Sequence, residues 1–301
     1  MKIGVIIGGT STEREVSLMT GKEMAKNLDK EKYEVYPIII NDKKELVEKA
    51  GKIDFALLAL HGKFGEDGTV QGTLDTIGIP YSGSGILSSA ICMDKDISKR
   101  LMRFAGISTP EWFLIKSKEE LEIMQLEKLG YPLAAKPNSG GSSIGMHVVK
   151  NRDELLMAVD QILNMDHEVI LEKYIEGDEI TCAILNGRAL PILAIKPKAC
   201  FFDYVSKYTD GGAEEYVVKL DEGLSEKVNN MAERCFDILK CRVYARVDMI
   251  IKEGEPYVLE VNTLPGMTKN SLFPKSAGAE GISFDRLLDI IIEYSMNEKV
   301  N

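Results

Sequence analysis

Between Tyr244 and Thr263 the chain reads YARVDMIIKEGEPYVLEVNT, two strand-like runs joined across a glycine turn, and few folds tolerate the four polar side chains this places together. Counting outward from a turn centred at Gly254 sets Asp248 opposite Glu260 and Arg246 opposite Asn262. All four share one face, because strand side chains alternate with a period of two. Opposed positions bring side-chain origins within about 5 Å, and facing carboxylates repel unless a cation lies between them. Asp248, Glu260 and Asn262 supply hard oxygen donors without His or Cys, a set suited to magnesium bound through one or two carboxylates and substrate phosphates. An exposed hairpin laced with salt bridges is the plainer explanation, but Met249, Val258, Leu259 and Val261 point to a substantially buried sheet.

The other end of the chain predicts a parallel sheet. IGVIIGG at 3–9 is a continuous apolar run ending in glycine, as in strands buried on both faces. A helix follows from Glu15 to Leu28 with Val16, Met19, Met24 and Leu28 on one face, then a strand, YEVYPIII, at 33–40. A second buried strand, IDFALLALHG at 53–62, delivers His61 at its C-terminal end, where ligands of open α/β sheets collect. The loop GGTSTEREVS at 8–17 lacks GxGxxG, and Glu13 and Glu15 would repel a pyrophosphate at the helix N-terminus, so a carboxylate there prefers an ammonium. Glu15 could equally serve the helix dipole, and a lone His at a strand end is more often structural than catalytic.

The middle of the chain predicts a helical stretch from Ser84 to Phe104, a strand at 111–115, a helix at 118–129 and a hairpin of YPLAAKP with GMHVVK over the loop NSGGSS. Backbone N–H groups of such a loop cradle phosphates and Lys136 adds a point charge, although the GxxxxGK[ST] pattern is absent and a flexible turn is the bland alternative. Asn151 should cap a helix over 151–163, and strands follow at 168–177, 179–186 and 189–196. After a polar, aromatic-rich segment at 200–216 come a helix at 222–240, the hairpin and a terminal helix at 283–296.

At 301 residues the chain is long enough for two domains, or three small ones, and a net charge of -10 argues against nucleic acid or an anionic membrane as partner. No signal peptide and no apolar span of about 18 residues is apparent. Five cysteines without a CxxC pair read as buried free thiols in a reducing cytoplasm.

Taken together, GGTSTEREVSLMTG, HGKFGEDGTVQGTLDTIGIPYSGSG, AAKPNSGGSSIG, LEKYIEGDEIT, SKY, ARVDMI and LEVNTLPGMTKNSLFP resemble the D-alanine–D-alanine ligases of the ATP-grasp superfamily, over almost the whole chain and in the family's order. The resemblance implies an α/β fold, α+β in its ATP-grasp part, with three domains that we place at 1–93, 94–178 and 179–301. It implies ATP as co-substrate with two magnesium ions, manganese being a substitute, and D-alanine as the amino acid. By likeness, Lys95 and Lys136 hold phosphates, Glu172, Lys173, Tyr174, Ile175 and Glu179 hold adenine and ribose, and Lys207 lies on an omega loop. Asp248, Glu260 and Asn262 match the family's two-magnesium site. Glu15 aligns with the residue that holds the first ammonium, linked by hydrogen bonds to Ser142 and Tyr208. His61 lines the same pocket, and Ser271 and Leu272 hold the second carboxylate. Arg246 and the N–H of Gly266 stabilise the tetrahedral intermediate.

Tyr208 favours a dipeptide, since relatives making a D-lactate ester carry Phe at the matching position. Gly140-Gly141 departs from the Glu-Gly of many relatives, which removes a side-chain contact from the loop. Family habit also implies a homodimer. The alternatives are D-lactate or D-serine as second substrate, a binding protein without turnover, and a nicotinamide oxidoreductase suggested by the strand-glycine-helix start.

Overall fold

The computed structural model describes residues 1–121, 128–197 and 213–297; Cys200, Lys207 and Tyr208 lie outside them, as do half of the helix expected at 118–129 and most of the aromatic-rich segment. The chain opens with β1 (Lys2–Gly8), α1 (Arg14–Asn27), β2 (Glu34–Ile40), α2 (Glu45–Ala50) and β3 (Phe55–Leu58). These strands form a parallel sheet in the order β2-β1-β3, with Gly4 beside Tyr36 on one side and Ala56 on the other. The apolar run predicted for β1 is buried on both faces, from Ile3 to Gly8.

Helix α1 packs through Val16, Ser17, Thr20, Gly21 and Met24; Met19, expected on that face, is 54% exposed. Small residues face the sheet because the approach is close. A Cβ built on Gly21 would lie 1.9 Å from Ile7 Cγ2.

Next come α3 (Thr69–Thr76), α4 (Ile86–Met93) and α5 (Lys95–Phe104). The single helical stretch expected over 84–104 is broken at Asp94, whose extended backbone ends α4 and whose carboxylate caps α5 by accepting from Ile97 N at 2.9 Å.

The middle of the chain is β4 (Trp112–Ile115), a 3-10 turn at Lys118–Glu120, β5 (Leu133–Pro137), β6 (His147–Val149), α6 (Arg152–Leu163) and β7 (Val169–Lys173). The sheet is antiparallel, in the order β4-β7-β5-β6, and β5 with β6 forms the predicted hairpin. Asn151 caps α6, accepting from Glu154 N at 2.9 Å.

The last part holds β8 (Asp178–Leu185), β9 (Arg188–Ala189), β10 (Leu193–Pro197), β11 (Ala213–Val217), α7 (Glu222–Ile238), β12 (Tyr244–Lys252), β13 (Glu255–Asn262), α8 (Leu272–Ala279) and α9 (Phe284–Asn297). Its antiparallel sheet runs β11-β10-β8-β12-β13, with β9 paired to β8.

Three main cores result. The middle sheet packs on α6 through Leu155, Val159 and Ile162. One face of the last sheet packs on α7 and on Met102 of α5. The first sheet shares its core with residues far along the chain, including Tyr244, Leu264, Phe273, Leu288 and Ile292. Cys92, Cys182, Cys235 and Cys241 are free and buried, and burial pushes the Cys182 thiol up to about 12. No helix among the described residues is long and apolar enough to cross a membrane.

The hairpin corrects one expectation and keeps another. Lys252 pairs with Glu255, so the loop is the two residues Glu253 and Gly254, both at positive φ (52° and 78°), a primed turn centred between them and not at Gly254. That turn alone would set Leu259 opposite Asp248. A β-bulge between Asp248 and Met249 absorbs one residue of β13, so Asp248 faces Glu260 and Arg246 faces Asn262 as expected.

Gly21→Ala tests the α1 contact. In an exposed helix the change would add about 1 kcal/mol of stability; here overpacking against Ile7 should cost about 2 kcal/mol, read as a lower urea midpoint at unchanged slope.

Candidate active site

A cavity of about 830 Å³ opens between the middle and last sheets. The glycine-serine loop after β5 closes one side, β7 and the segment following it form a second, and β8, β10, β12 and β13 form the floor. Seven residues expected at the nucleotide lie on its wall: Lys95, Lys136, Glu172, Lys173, Tyr174, Ile175 and Glu179. Asp248 and Glu260 join them. Ile144, Met146, Met157, Ile195, Ile250 and Leu259 give the same wall an apolar stretch, so a flat ring and a polyanion can lie in one cavity. Leu259 reaches it beside Glu260 because the bulge turns consecutive residues to one face.

Alternation along β12 sends Val247, Met249 and Ile251 into the core and leaves Asp248 on the cavity side. Asp248 accepts from Arg246 at both oxygens (Nε to Oδ1 2.9 Å, Nη2 to Oδ2 2.7 Å), from Thr181 Oγ1 at 2.6 Å and from Asn262 Nδ2 at 3.0 Å. Across the strand pair, Glu260 Oε2 lies 3.4 Å from Lys95 Nζ. The chain's own cations thus offset the facing carboxylates. Lys95 also donates to Gly140 O, tying the loop to the polar end of the cavity.

Among the described residues no three His, Cys, Asp or Glu side chains group to hold a metal by themselves. An ion between Asp248 and Glu260 would need further oxygen ligands, which Asn262 and nucleotide phosphates provide. That is the way magnesium is usually bound.

Lys95 is aimed by a joint that the sequence alone did not suggest. Asn138, fully buried after β5, accepts from Lys95 N at 3.2 Å with its carbonyl and from Asp96 N at 2.9 Å with its side chain. Its amide donates to Glu168 Oε2 at 2.7 Å. On the wall, Lys136 Nζ lies 3.2 Å from Glu172 Oε1, and the fully buried Lys99, another residue the sequence did not single out, lies 2.7 Å from Glu172 Oε2. Burial resists ionisation of Glu172, but Lys136 and Lys99 outweigh it and hold the carboxyl below its usual range. Burial brings Lys99 down to about 8 even though Glu172 favours its charge.

Glu15 is not where the resemblance put it. Its side chain is 79% exposed and pairs only with the neighbouring Arg14, on the outer face of α1. The buried acid of this loop is Glu13. It is 6% exposed, accepts from Ser142 Oγ, and sits so close to Gly62 and Gly141 that a Cβ on either would come within 3.0 Å of its Oε2. The signal was present in STEREVS: Glu13 precedes the first turn of α1, while Glu15 lies within it on the solvent side.

His61 is buried near this carboxylate, with Nε2 3.1 Å from Thr20 Oγ1 and Nδ1 3.4 Å from Glu66 Oε1. A proton on Nδ1 points at Glu66 and leaves Nε2 to accept from the threonine. Ser271 and Leu272 begin α8, where Ser271 Oγ accepts from Thr268 N at 3.1 Å; a Cβ on Gly266 would stand 3.0 Å from that hydroxyl oxygen. Glu13, His61, Ser142, Arg246, Asn262, Gly266, Ser271 and Leu272 are not on the 830 Å³ wall. Gly141 and Ser143, flanking Ser142, are on it, so the loop borders the cavity while Ser142 turns to Glu13.

Known proteins resemble the chain along nearly its whole length in family and fold. The family model described as D-ala D-ala ligase C-terminus matches residues 101–293, and that described as D-ala D-ala ligase N-terminus matches 2–51 and 41–84. The D-alanine–D-alanine ligase of Bacillus anthracis is 58% identical over 296 residues, 98% of this chain and 97% of that one. The crystal structure of the Bacillus anthracis ligase complexed with ATP superposes with a TM-score of 0.91 at 55% identity, covering 98% of this chain and 97% of that one. The VanG D-Ala:D-Ser ligase from Enterococcus faecalis superposes with a TM-score of 0.86 at 34% identity, covering 98% and 99%.

Ser142→Ala removes the hydroxyl that joins the loop to Glu13. Amide exchange across residues 139–146 should quicken by about tenfold, measured by mass spectrometry on the ligand-free chain.

Proposed function

Because the chain belongs to the D-alanine–D-alanine ligase family, joining two D-alanine molecules with ATP and magnesium in peptidoglycan synthesis, we propose that its own residues divide that reaction between the cavity and the Glu13 pocket. The observation that carries this reading is the pairing of Asp248 with Glu260 at the polar end of a cavity lined by Lys95 and Lys136.

ATP lies with its base against Tyr174, Ile175 and Leu259 and its ribose towards Glu179, within reach of Glu172 and Lys173. Lys95 and Lys136 take phosphate oxygens, as does Lys207 by resemblance. Asp248, Glu260 and Asn262 hold magnesium, which supplies neutralisation of phosphate charge when bound. Arg246, bidentate on Asp248, is fixed in direction before substrate arrives.

Glu13, in place of Glu15, receives the ammonium of the first D-alanine, with His61 lining its pocket. The carboxylate oxygen of that D-alanine attacks the γ-phosphorus; the new O–P bond forms as the bond to the β-phosphate oxygen breaks, releasing ADP. The neutral amine of the second D-alanine, its carboxylate held at Ser271 and Leu272, adds to the acyl carbon. Arg246 and Gly266 N–H stabilise the oxyanion, which collapses to the peptide as phosphate leaves, taking up the proton that the amine gives up. Ser142, donating to Glu13, couples closure of the loop to occupancy of the first pocket and keeps water from the acyl phosphate.

We read the chain as units at 1–93, 94–178 and 179–301, with the nucleotide between the last two. Tyr208 favours an amine over a hydroxyl as second nucleophile. A homodimer rests on likeness to the family. A cytoplasmic location is supported by the nucleotide it consumes and by the four buried free thiols among the described residues.

Asp248→Asn keeps the side-chain shape but turns one acceptor oxygen into a donor facing other donors, and should abolish ATP turnover with cooperative melting intact; retained turnover refutes the metal assignment. Glu13→Gln should lower kcat/KM for D-alanine by on the order of 10²-fold, whereas Glu15→Ala, losing only an exposed ion pair, should stay within about twofold. A coupled assay with D-alanine, L-alanine, D-serine and D-lactate should release ADP with D-alanine alone.

A further inference from the structure

We propose that Lys99 is a positioning residue for nucleotide binding: by occupying one oxygen of Glu172 it leaves Lys136 available to phosphate. The inference rests on the reading of the 830 Å³ cavity as the ATP site.

Lys99 has no place on the cavity wall and is 0% exposed, so any effect on a ligand passes through what it touches. Its Nζ lies 2.7 Å from Glu172 Oε2 and 2.5 Å from Thr109 Oγ1, and 5.3 Å from the centre of the Trp112 ring. Arg103 stacks on that ring at 4.2 Å. These contacts fix the ammonium without bringing it to solvent. The other oxygen of Glu172, Oε1, lies 3.2 Å from Lys136 Nζ, and both Glu172 and Lys136 face the cavity.

Two lysines on one buried carboxylate exceed what charge neutralisation requires. A single cation would satisfy Glu172, and burying a second ammonium carries a desolvation penalty, visible in the lowered pKa of Lys99. The excess places a net positive charge at the phosphate side of a cavity for a polyanion. Without Lys99, the full charge of Glu172 falls on Lys136, the pair becomes neutral, and phosphate must compete with the carboxylate. Lys95 and Lys99 are one helical turn apart on α5, so one helix, anchored through Asn138, sets both lysines.

The test titrates the full chain with Mg·ADP and with adenosine, alongside steady-state KM for ATP and D-alanine. Lys99→Met should weaken ADP and raise KM for ATP by about tenfold, leaving adenosine affinity and KM for D-alanine within about twofold. Lys99→Arg should restore native values, and in a Glu172→Gln background Lys99→Met should change ADP affinity by less than about twofold, since no carboxylate then competes for Lys136. The double variant leaves no carboxylate unpaired in the interior, so it reports even where Lys99→Met alone fails to melt cooperatively. Native-like ADP affinity in Lys99→Met, equal weakening of adenosine, or an undiminished loss when Lys99→Met is added to Glu172→Gln overturns the proposal. A native chain that binds no ADP in the same titration overturns the cavity reading itself, and this inference with it.

Discussion

Two carboxylates held on facing strands are an unstable arrangement unless positive charge is supplied, and the surroundings of the cavity follow from that need. Arg246 answers Asp248 and Lys95 approaches Glu260, and the demand they leave is what the proposed magnesium would meet. The backbone prepares the conflict deliberately. A primed turn and a compensating bulge bring Glu260, and not Leu259, opposite Asp248. The extra residue is itself used, because Leu259 adds apolar wall beside Glu260. Asn138 then ties the start of α5 to the end of β5, so the lysine that meets Glu260 is aimed from another layer of the molecule.

Much of this was legible in the residues because it depends on local periodicity. The continuous apolar run of β1 and the Asn151 cap are short-range signals, and each element formed where those signals placed it. The hairpin pairing was legible for a less secure reason: an assumed turn centre was off, and the bulge cancelled the error. Bulges leave little mark in sequence, since the extra residue here is an ordinary leucine.

The residues that were missed act through distance in the chain. Lys99 reads as one charge on an amphipathic helix, and only the fold reveals it buried beneath Glu172. Asn138 reads as part of a loop. Glu13 and Glu15 are two apart, and which one faces inward depends on where α1 begins, with Glu13 just outside its first turn. A motif match identified the carboxylate-bearing loop, but only burial and the Ser142 contact separate the two acids. The break at Asp94 was masked by helix-forming residues on both sides.

The first sheet's core is completed by Tyr244, Leu264, Phe273 and the inner face of α9, so the segment that carries Glu13 and His61 has no finished interior of its own. Cut away from the stretch between Tyr244 and Ile292, that sheet would turn an apolar side to water and lose the packing under the loop that bears Glu13. Cleavage between the two regions would therefore yield sticky fragments, and not two self-sufficient modules.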